Sequence, residues 1–213
     1  MIAISGDTHG EWRKLNVFIN SINPELLIVC GDFGYWPREK EYDLKKLKTG
    51  RTKILFCDGN HEDHHSLRRL VELGVTEVSP NVFYMKRGSV YTLPDGRRIL
   101  FMGGANSTDK DQRIIGYDWF PEETISWADM ENLPDPPIDI VISHTCPNEF
   151  YDELVDRGDN DPSRAALSIV LDKYKPALWF FGHFHMSKSR QYGVTRWTAL
   201  NRIDYQGWWT RLH

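Results

Sequence analysis

The sequence predicts an α/β protein whose sheet is buried. Short apolar segments alternate with segments of helical periodicity through the first third of the chain. Gly, Asn or Asp closely follows most of the apolar segments, as expected where buried strands end. Strands that alternate with helices in this order form a sheet covered by helices, which is the α/β class.

The predicted elements follow from these two periodicities. The spacing of Trp12, Leu15, Ile19 and Ile22 predicts a helix with one apolar face. Further helices are predicted around 44–47, over 67–73 and over 163–174. The predicted strands, all brief and apolar, are 1–5, 26–30, 53–57, 98–102, 138–143 and 177–181.

The middle of the chain has a different character. Segment 75–102 contains short strand-like pieces separated by Gly88 and by the turn sequence Pro94-Asp95-Gly96, which predicts a hairpin or meander. Segment 103–121 has little periodicity, and loops of this length are usually functional or disordered.

Length and composition favour one globular domain over residues 1–213. The chain has 213 residues, of which 40% are hydrophobic and 26% are charged, so extensive disorder is excluded. The apolar segments are far shorter than the roughly 20 residues of a membrane span, so no membrane association is expected. The start of the sequence lacks the pattern of a signal peptide, which predicts a cytoplasmic protein.

Charge and cysteine content exclude further classes. The net charge of −4 does not indicate a broad nucleic-acid-binding face. Binding to nucleic acid would therefore depend on a local basic patch or on bound metal. The cysteines Cys30, Cys57 and Cys146 form no CxxC pair, which disfavours a disulfide framework or a thiolate zinc site. Cys30 and Cys57 end apolar segments and are expected to be buried and inert.

Five of the eight histidines lie at or near the ends of predicted strands, where open α/β sheets build their sites. Two of the segments carry a pair of polar residues two positions apart, which points both side chains to one side of an extended chain. Asp, His and Asn ligands without thiolates suit Mn²⁺, Fe or Zn with open coordination positions. The segments are GDTHG at Asp7 and His9, GD at Asp32, GNHE at Asn60 and His61, SH at His144, and GHFH at His183 and His185.

These five motifs, in this order, resemble the pattern GDxH, GD, GNH, His and GHxH of the calcineurin-like metallophosphoesterases. The resemblance runs from Asp7 to His185 and so covers nearly the whole chain. It implies an αββα sandwich of two mixed sheets flanked by helices. It also implies two divalent metal ions, with Mn²⁺ favoured and Fe, Zn or Ni as alternatives.

The resemblance also implies a role for each motif residue. A hydroxide shared by the two metals would attack phosphorus, and His61, which is not a ligand, would steady the transition state or protonate the leaving group. Asp32 would bridge the two metals. The first metal would be held by Asp7, His9, Asp32 and His185, and the second by Asp32, Asn60, His144 and His183.

The second motif departs from one branch of the superfamily. Phosphoprotein phosphatases carry GDxxDRG there, whereas this chain reads GDFGYWP, with Tyr35 at the second Asp position and Trp36 at the Arg position. The acidic partner of His61 and a phosphate-holding arginine are therefore missing at those positions. The chain more resembles small bacterial and phage metallophosphoesterases than protein phosphatases or dinucleoside-tetraphosphate hydrolases.

Candidate substrate contacts lie on two loops. In the 103–121 loop, Lys110 and Arg113 are candidates for a phosphate contact, with solvated loop cations as the alternative. Four aromatic residues are candidates for stacking on a nucleobase, with core packing as the alternative. They are Tyr35, Trp36, Tyr117 and Trp119.

Other conspicuous residues have structural interpretations. His64 and His65 follow the third motif on a predicted helix and are expected on its solvated face. Trp197, Trp208 and Trp209 are expected to cover the core, although a jointly exposed group would indicate an interface.

The favoured function is a dimetal phosphoesterase that acts on a phosphodiester or a nucleotide phosphate. The missing Asp and Arg favour a diester only slightly over a monoester. Two alternatives from other classes are a metal-bearing scaffold that binds partners with little turnover, and a structural phage or host-interaction protein with incidental activity.

Overall fold

A computed structural model of the protein describes residues 1–154 and 160–213. Over this part of the chain the helices are α1 (Trp12–Ile22), α2 (His64–Glu72), α3 (Trp127–Glu131), α4 (Asn148–Tyr151) and α5 (Pro162–Tyr174). Short 3₁₀ turns occur at Leu44–Lys46, Lys110–Gln112 and Pro121–Glu123. The strands are β1 (Ile2–Ser5), β2 (Leu26–Val29), β3 (Lys53–Phe56), β4 (Glu77–Ser79), β5 (Val82–Tyr84), β6 (Val90–Thr92), β7 (Arg98–Met102), β8 (Ile140–Ser143), β9 (Leu178–Phe181), β10 (Lys188–Tyr192), β11 (Thr195–Ala199) and β12 (Trp209–Leu212).

The strands form two mixed sheets of six strands each. The first sheet has the order β12-β1-β2-β3-β5-β4, and the second has the order β10-β11-β9-β8-β7-β6. Strands β1, β2 and β3 are parallel neighbours in the first sheet, as are β7, β8 and β9 in the second. Antiparallel strands lie at the edges of both sheets.

Alternate residues of the strands face different layers. In β2, Leu27 joins a cluster with residues of α1 and α2, whereas Ile28 joins a cluster between the two sheets. In β8, Val141 packs with residues of α4 and α5, whereas Ile142 joins the same cluster between the sheets. Strands buried on both faces explain why these segments are continuously apolar. The layers form the αββα sandwich that the family resemblance implies.

The structure confirms the six predicted strands and the helices at α1, α2 and α5. The predicted helix around 44–47 is instead a 3₁₀ turn at Leu44–Lys46, because Leu44 and Leu47, three residues apart, are both buried. The 75–102 segment is not one meander, since β4 and β5 pair in the first sheet while β6 and β7 pair in the second.

The polar motifs follow the carboxyl ends of the central strands of both sheets, so this topology brings them to one end of the sandwich. No helix in the described residues is long and apolar enough to span a membrane. The cytoplasmic location stays a prediction.

Candidate metal centre

The backbone at the strand ends is held in an uncommon conformation. Four of the predicted ligand residues have positive φ angles, although none of them is glycine. Such conformations cost free energy and persist where the surrounding structure enforces them, often at functional sites. The residues are Asp32 (φ 44°), His9 (φ 47°), His185 (φ 47°) and His183 (φ 66°).

One group of potential ligands combines Asp7, His9 and His185. Nε2 of His185 lies 2.9 Å from Oδ2 of Asp7 and 3.4 Å from Nε2 of His9. Nε2 of His9 also lies 3.8 Å from a carboxylate oxygen of Asp7 and 3.8 Å from one of Asp32. These atoms meet between the end of β1 in the first sheet and the end of β9 in the second.

A second group lies deeper and centres on His144. Its Nε2 is 3.0 Å from Oδ1 of Asn60 and 3.4 Å from Oδ2 of Asp32. Nδ1 of His183 lies 3.1 Å from the same Asn60 oxygen. The structure therefore brings all seven predicted ligands into one cluster, with Asp32 next to His9 on one side and His144 on the other.

The second nitrogen of His144 is already engaged. Its Nδ1 lies 2.9 Å from the carbonyl oxygen of Cys30, which accepts a hydrogen bond from the ring N–H, so that Nε2 faces Asp32 and Asn60. Asp7 also lies near His144, but at 3.9 Å from this occupied Nδ1. We therefore group His144 with Asp32 and Asn60. A hydrogen bond from one ring nitrogen to a carbonyl is the usual way to orient a metal-binding histidine.

The electrostatics of the cluster favour a cation. Burial opposes a charge on His144, but the carboxylates of Asp32 and Asp7 together outweigh burial and raise the pKa of His144 to about 10. Burial likewise opposes the charge of Asp32, yet His144 above all lowers the pKa of Asp32 well below its usual value. The negative field that holds a proton on His144 would equally favour a metal cation.

The residues present fit a divalent metal. Oδ2 of Asp7 is buried, and although Nε2 of His185 lies 2.9 Å away, no described residue donates a hydrogen bond to this oxygen, which suits an atom reserved for a cation. Asp7, His9 and His185 place ligand atoms within 4.8 Å of one another, and so do Asp7, Asp32 and His144. Carboxylate and imidazole donors without thiolates match first-row divalent ions.

His61 lies beside this cluster without joining either group of ligands. Its backbone N–H donates to Oδ1 of Asp32 at 2.9 Å, and its ring centroid lies 5.5 Å from that of His9. The guanidinium of Arg113 lies 3.1 Å from Nε2 of His61, and since a guanidinium only donates, Nε2 is the acceptor. Burial lowers the pKa of His61 against the attraction of Asp32, and Arg113 lowers it further.

Arg113 comes from the long loop after β7 and is held there by Asp109 at 2.7 Å. A guanidinium therefore reaches the site although the second motif lacks the phosphatase arginine. Lys110 is exposed on the Lys110–Gln112 turn, and its contact with substrate stays a prediction.

Two buried residues that the sequence analysis did not single out hold the site loops. The carboxylate of Glu62 accepts from Gly34 N at 2.9 Å and from Gly59 N at 2.5 Å, which joins the second and third motifs. Burial, with Asp32 nearby, raises the pKa of Glu62 to about 8. Ser107 meets the amide of Asn60 at 3.0 Å and orients it. The GNHE spacing alone could have indicated Glu62, whereas Ser107 is 47 positions from Asn60.

Arg87 is a third buried residue that holds a loop of the site. It pairs with the buried Asp58 at 2.6 Å and with Asp129 at 3.0 Å, and it donates to the carbonyl oxygens of Glu122, Glu123 and Thr124. These contacts fasten the end of the long loop to the end of β3. No local sequence signal marks this arginine, because its partners are distant in the chain.

The aromatic candidates divide between packing and the site. Tyr35 is buried against Phe56 and Tyr42. Of the two alternatives given for it, stacking on a nucleobase or packing in the core, the structure shows core packing. Trp36 is half-buried beside the site, and its indole N–H donates to the carbonyl oxygen of His61. Trp119 donates to Glu123 at 3.0 Å within its own loop, and Tyr117 is 57% exposed.

The remaining predictions concern burial. The three cysteines are buried, and Trp197, Trp208 and Trp209 pack against the cores as expected. The prediction of a solvated His64 is wrong, because Nε2 of His64 donates to the buried carbonyl of Gly59 at 2.9 Å. His65, the next residue, is exposed.

The chain is similar to several known proteins. The family model described as calcineurin-like phosphoesterase matches residues 1–187. The lariat debranching enzyme of Schizosaccharomyces pombe is 26% identical over 230 residues, which cover 86% of this chain and 48% of that protein. The lariat debranching enzyme of Entamoeba histolytica is 25% identical over 248 residues, which cover 96% of this chain and 69% of that protein. The chain thus spans about half the length of the first relative and about two thirds of the second.

A solved structure with the same fold is that of the phosphopantetheinyl hydrolase from Mycobacterium tuberculosis. It superposes with a TM-score of 0.57 and 15% sequence identity, and the match covers 99% of this chain and 95% of that one. At this identity the likeness concerns the fold.

Proposed function

Because the chain belongs to the calcineurin-like phosphoesterase family, we propose that it is a dimetal phosphodiesterase whose substrate contains nucleotides. The similarity to lariat debranching enzymes favours a diester over a monoester and RNA as the substrate class. The observation that carries the proposal is the pair of ligand groups described above, one around Asp7 and one around His144, which meet at Asp32.

We assign one cation to the Asp7 side of the cluster and the other to the His144 side, with Asp32 between them. When bound, the two cations supply Lewis-acid chemistry and a hydroxide nucleophile at neutral pH. Mn²⁺ is the first candidate, and Fe, Zn and Ni suit the same donors. The first set is Asp7, His9, Asp32 and His185, and the second is Asp32, Asn60, His144 and His183.

His61 and Arg113 act on the substrate in this proposal. The forked guanidinium of Arg113 matches two phosphate oxygens, which makes it the substitute for the arginine missing at Trp36. A phosphate that draws Arg113 away from His61 leaves Nε2 of His61 free to meet the leaving oxygen. Once Arg113 has left, Nε2 of His61 takes up a proton from solvent, since the Asp32 carboxylate favours the imidazolium, and passes that proton to the leaving alkoxide.

The experiment compares bis-p-nitrophenyl phosphate with p-nitrophenyl phosphate as substrates of the Mn²⁺-loaded protein. We expect faster turnover of the diester. The variants His61→Ala and Asp32→Asn should both lose this activity, whereas His65→Ala, which changes an exposed histidine nearby, should retain it.

Two outcomes would contradict the proposal. A preference for the monoester would reassign the protein as a phosphomonoesterase. Turnover no higher than that of the variants, with two metals bound per chain by elemental analysis, would instead support a metal-bearing scaffold that binds partners.

A further inference from the structure

A small cavity opens next to His61, and none of the seven predicted metal ligands lines it. Its volume is about 290 Å³, just below the roughly 300–1,000 Å³ of typical small-molecule sites. It is therefore sized for one flat ring system and not for an extended ligand. The residues that line it include Trp36, Arg38, Glu39, His61, Tyr117 and Asp118.

Two aromatic side chains from different loops wall this cavity. Trp36 comes from the loop after β2, and the hydrogen bond from its indole N–H to the carbonyl of His61 ties it to the catalytic segment. Tyr117 comes from the long loop after β7 and lines the cavity together with Glu39. Aromatic side chains in this setting offer stacking surfaces that every nucleobase can use.

Arg38 holds the two loops together across the cavity. Its Nε donates to Oδ2 of Asp63 at 2.6 Å, and its terminal nitrogens donate to the carbonyl oxygen of Gly116 at 3.2 Å. Gly116 precedes Tyr117, so this contact fixes the position of Tyr117, the second aromatic side chain of the cavity. Because Asp63 neutralises Arg38, the cavity offers no unpaired cation from this residue to a phosphate.

The charges at the rim select a neutral occupant. Glu39 and Asp118 both line the cavity, and their carboxylates would repel a phosphate group. They can accept hydrogen bonds from the ring N–H or amino groups of a nucleobase. An uncharged, flat molecule with hydrogen-bond donors therefore fits better than an anion.

We propose that the cavity between Trp36 and Tyr117 binds the base of the leaving nucleoside in a phosphodiester substrate. The inference rests on the proposed function, in which His61 protonates the leaving oxygen. His61 lies at the border between this cavity and the ligand cluster. The leaving nucleoside, whose oxygen meets His61, is therefore the part of the substrate whose base reaches Trp36 and Tyr117.

The test uses dinucleoside phosphates that lack one base, in both the 3′,5′ and the 2′,5′ linkage, with Mn²⁺-loaded protein. The leaving nucleoside is identified as the product released without phosphate. Removal of its base should lower kcat/KM roughly ten- to a hundredfold, as expected for loss of one stacked base. Removal of the other base should change kcat/KM by less than threefold on the same argument.

Variants of the cavity residues then test whether the preference for an intact over an abasic leaving nucleoside arises in the cavity. Tyr117→Leu and Trp36→Leu should each bring the ratio of kcat/KM for intact and abasic substrates toward one, whereas Tyr117→Phe, which retains the ring, should preserve most of it. Trp127→Leu, which changes a tryptophan that is 77% exposed on α3, serves as the matched control.

The outcomes separate this inference from the proposed function. Hydrolysis of the intact dinucleotide without discrimination against the abasic leaving group would overturn the base site and leave the phosphodiesterase standing. Discrimination against loss of the other base would overturn the assignment to the leaving side. No hydrolysis of any diester would overturn the proposed function itself.

Discussion

Burial decides the role of each histidine in the segment that follows the third motif. His61 is half-buried at the site, His64 is buried under the loop, and His65 is exposed on α2. All three lie within five positions of one another and look alike in the sequence. Only the direction in which each side chain leaves the turn separates a candidate proton donor from a structural residue.

Arg113 is the residue whose substitution best tests the proposed phosphate contact. Arg113→Ala should lower kcat for a diester on the order of a hundredfold, since it removes a charge-bearing donor at the phosphate. Arg113→Lys should recover only part of the loss, because a lysine cannot form the two parallel hydrogen bonds of a guanidinium. Steady-state kinetics with metal content measured in parallel provide the test.

Arg69→Ala removes an exposed cation on α2 and is the control for general charge effects. Full activity of Arg113→Ala at saturating substrate would show that the contact between Arg113 and His61 has no role in turnover.

His64 should make stability fall in acid. Burial above all lowers the pKa of His64 to about 4 from the usual 6.5, so the unfolded chain binds a proton at a pH where the folded protein does not. The stability from this neutral histidine is fully present above pH 6.5 and is lost as the pH falls toward 4. This pKa difference corresponds to about 3 kcal/mol.

Urea unfolding between pH 7 and pH 4 in the presence of a chelator measures this effect. The loss of unfolding free energy should be smaller in His64→Gln, which retains a donor for Gly59. His65→Gln should behave as the wild type. Equal losses in wild type and His64→Gln would refute the assignment.

At the scale of elements, the turn after β2 is shaped by a close approach. Gly31 has φ +81°, and a Cβ atom there would lie 2.4 Å from Nδ1 of His144. Real Cβ contacts are not that short, so a side chain at this position must displace the ring that Cys30 and Asn60 hold.

We therefore expect Gly31→Ala to weaken metal binding and to lower diester turnover at least tenfold, since loss of a ligand's orientation costs about that much. Gly50→Ala is the matched control, because Gly50 also has a positive φ but has open space at its Cβ position. Metal titration of both variants would decide the matter. Similar affinities would show that the turn adapts without moving His144.

The long loop depends on Arg87 as its anchor. Arg87→Met should lower the unfolding free energy by about 3–5 kcal/mol, because it leaves the buried Asp58 carboxylate without its cationic partner. Arg68→Met removes the exposed pair with Glu122 in the same region and should cost less than about 1 kcal/mol. Comparable losses in the two variants, measured by chemical denaturation, would argue against this role of Arg87.

At the scale of the whole molecule, the candidate ligands come from both sheets. Asp7, Asp32 and Asn60 follow strands of the first sheet, whereas His144 and His183 follow strands of the second. Metal bound by both sets would connect the two halves of the sandwich, and a ligand that binds only the folded state stabilises it.

Removal of metal by a chelator should therefore lower the unfolding midpoint as well as abolish activity. At a metal concentration 100 times the Kd, the stabilisation is about 2.7 kcal/mol, which corresponds to a shift on the order of 5–10 °C for a chain of this size. Asp32→Asn should show a smaller shift. An unchanged midpoint after chelation, with metal initially bound, would contradict this arrangement.

The α/β class, the central strands and the five motifs that identify the family can all be recognised in the amino-acid sequence alone. These features are local, because a buried strand is recognisable from its own apolar residues and a motif from its own spacing. Edge strands such as β10, whose residues are largely exposed, carry a weaker signal, and β10 to β12 were not predicted.

The surroundings of the motif residues, in contrast, depend on contacts between distant parts of the chain. Arg113 meets His61 across 52 positions, Ser107 meets Asn60 across 47, and Arg87 gathers partners up to 42 positions away. The same holds for burial, which separated Tyr35 from Trp36 and His64 from His65. Such contacts depend on which strand ends the two sheets bring together. The residues of a single segment do not contain this information.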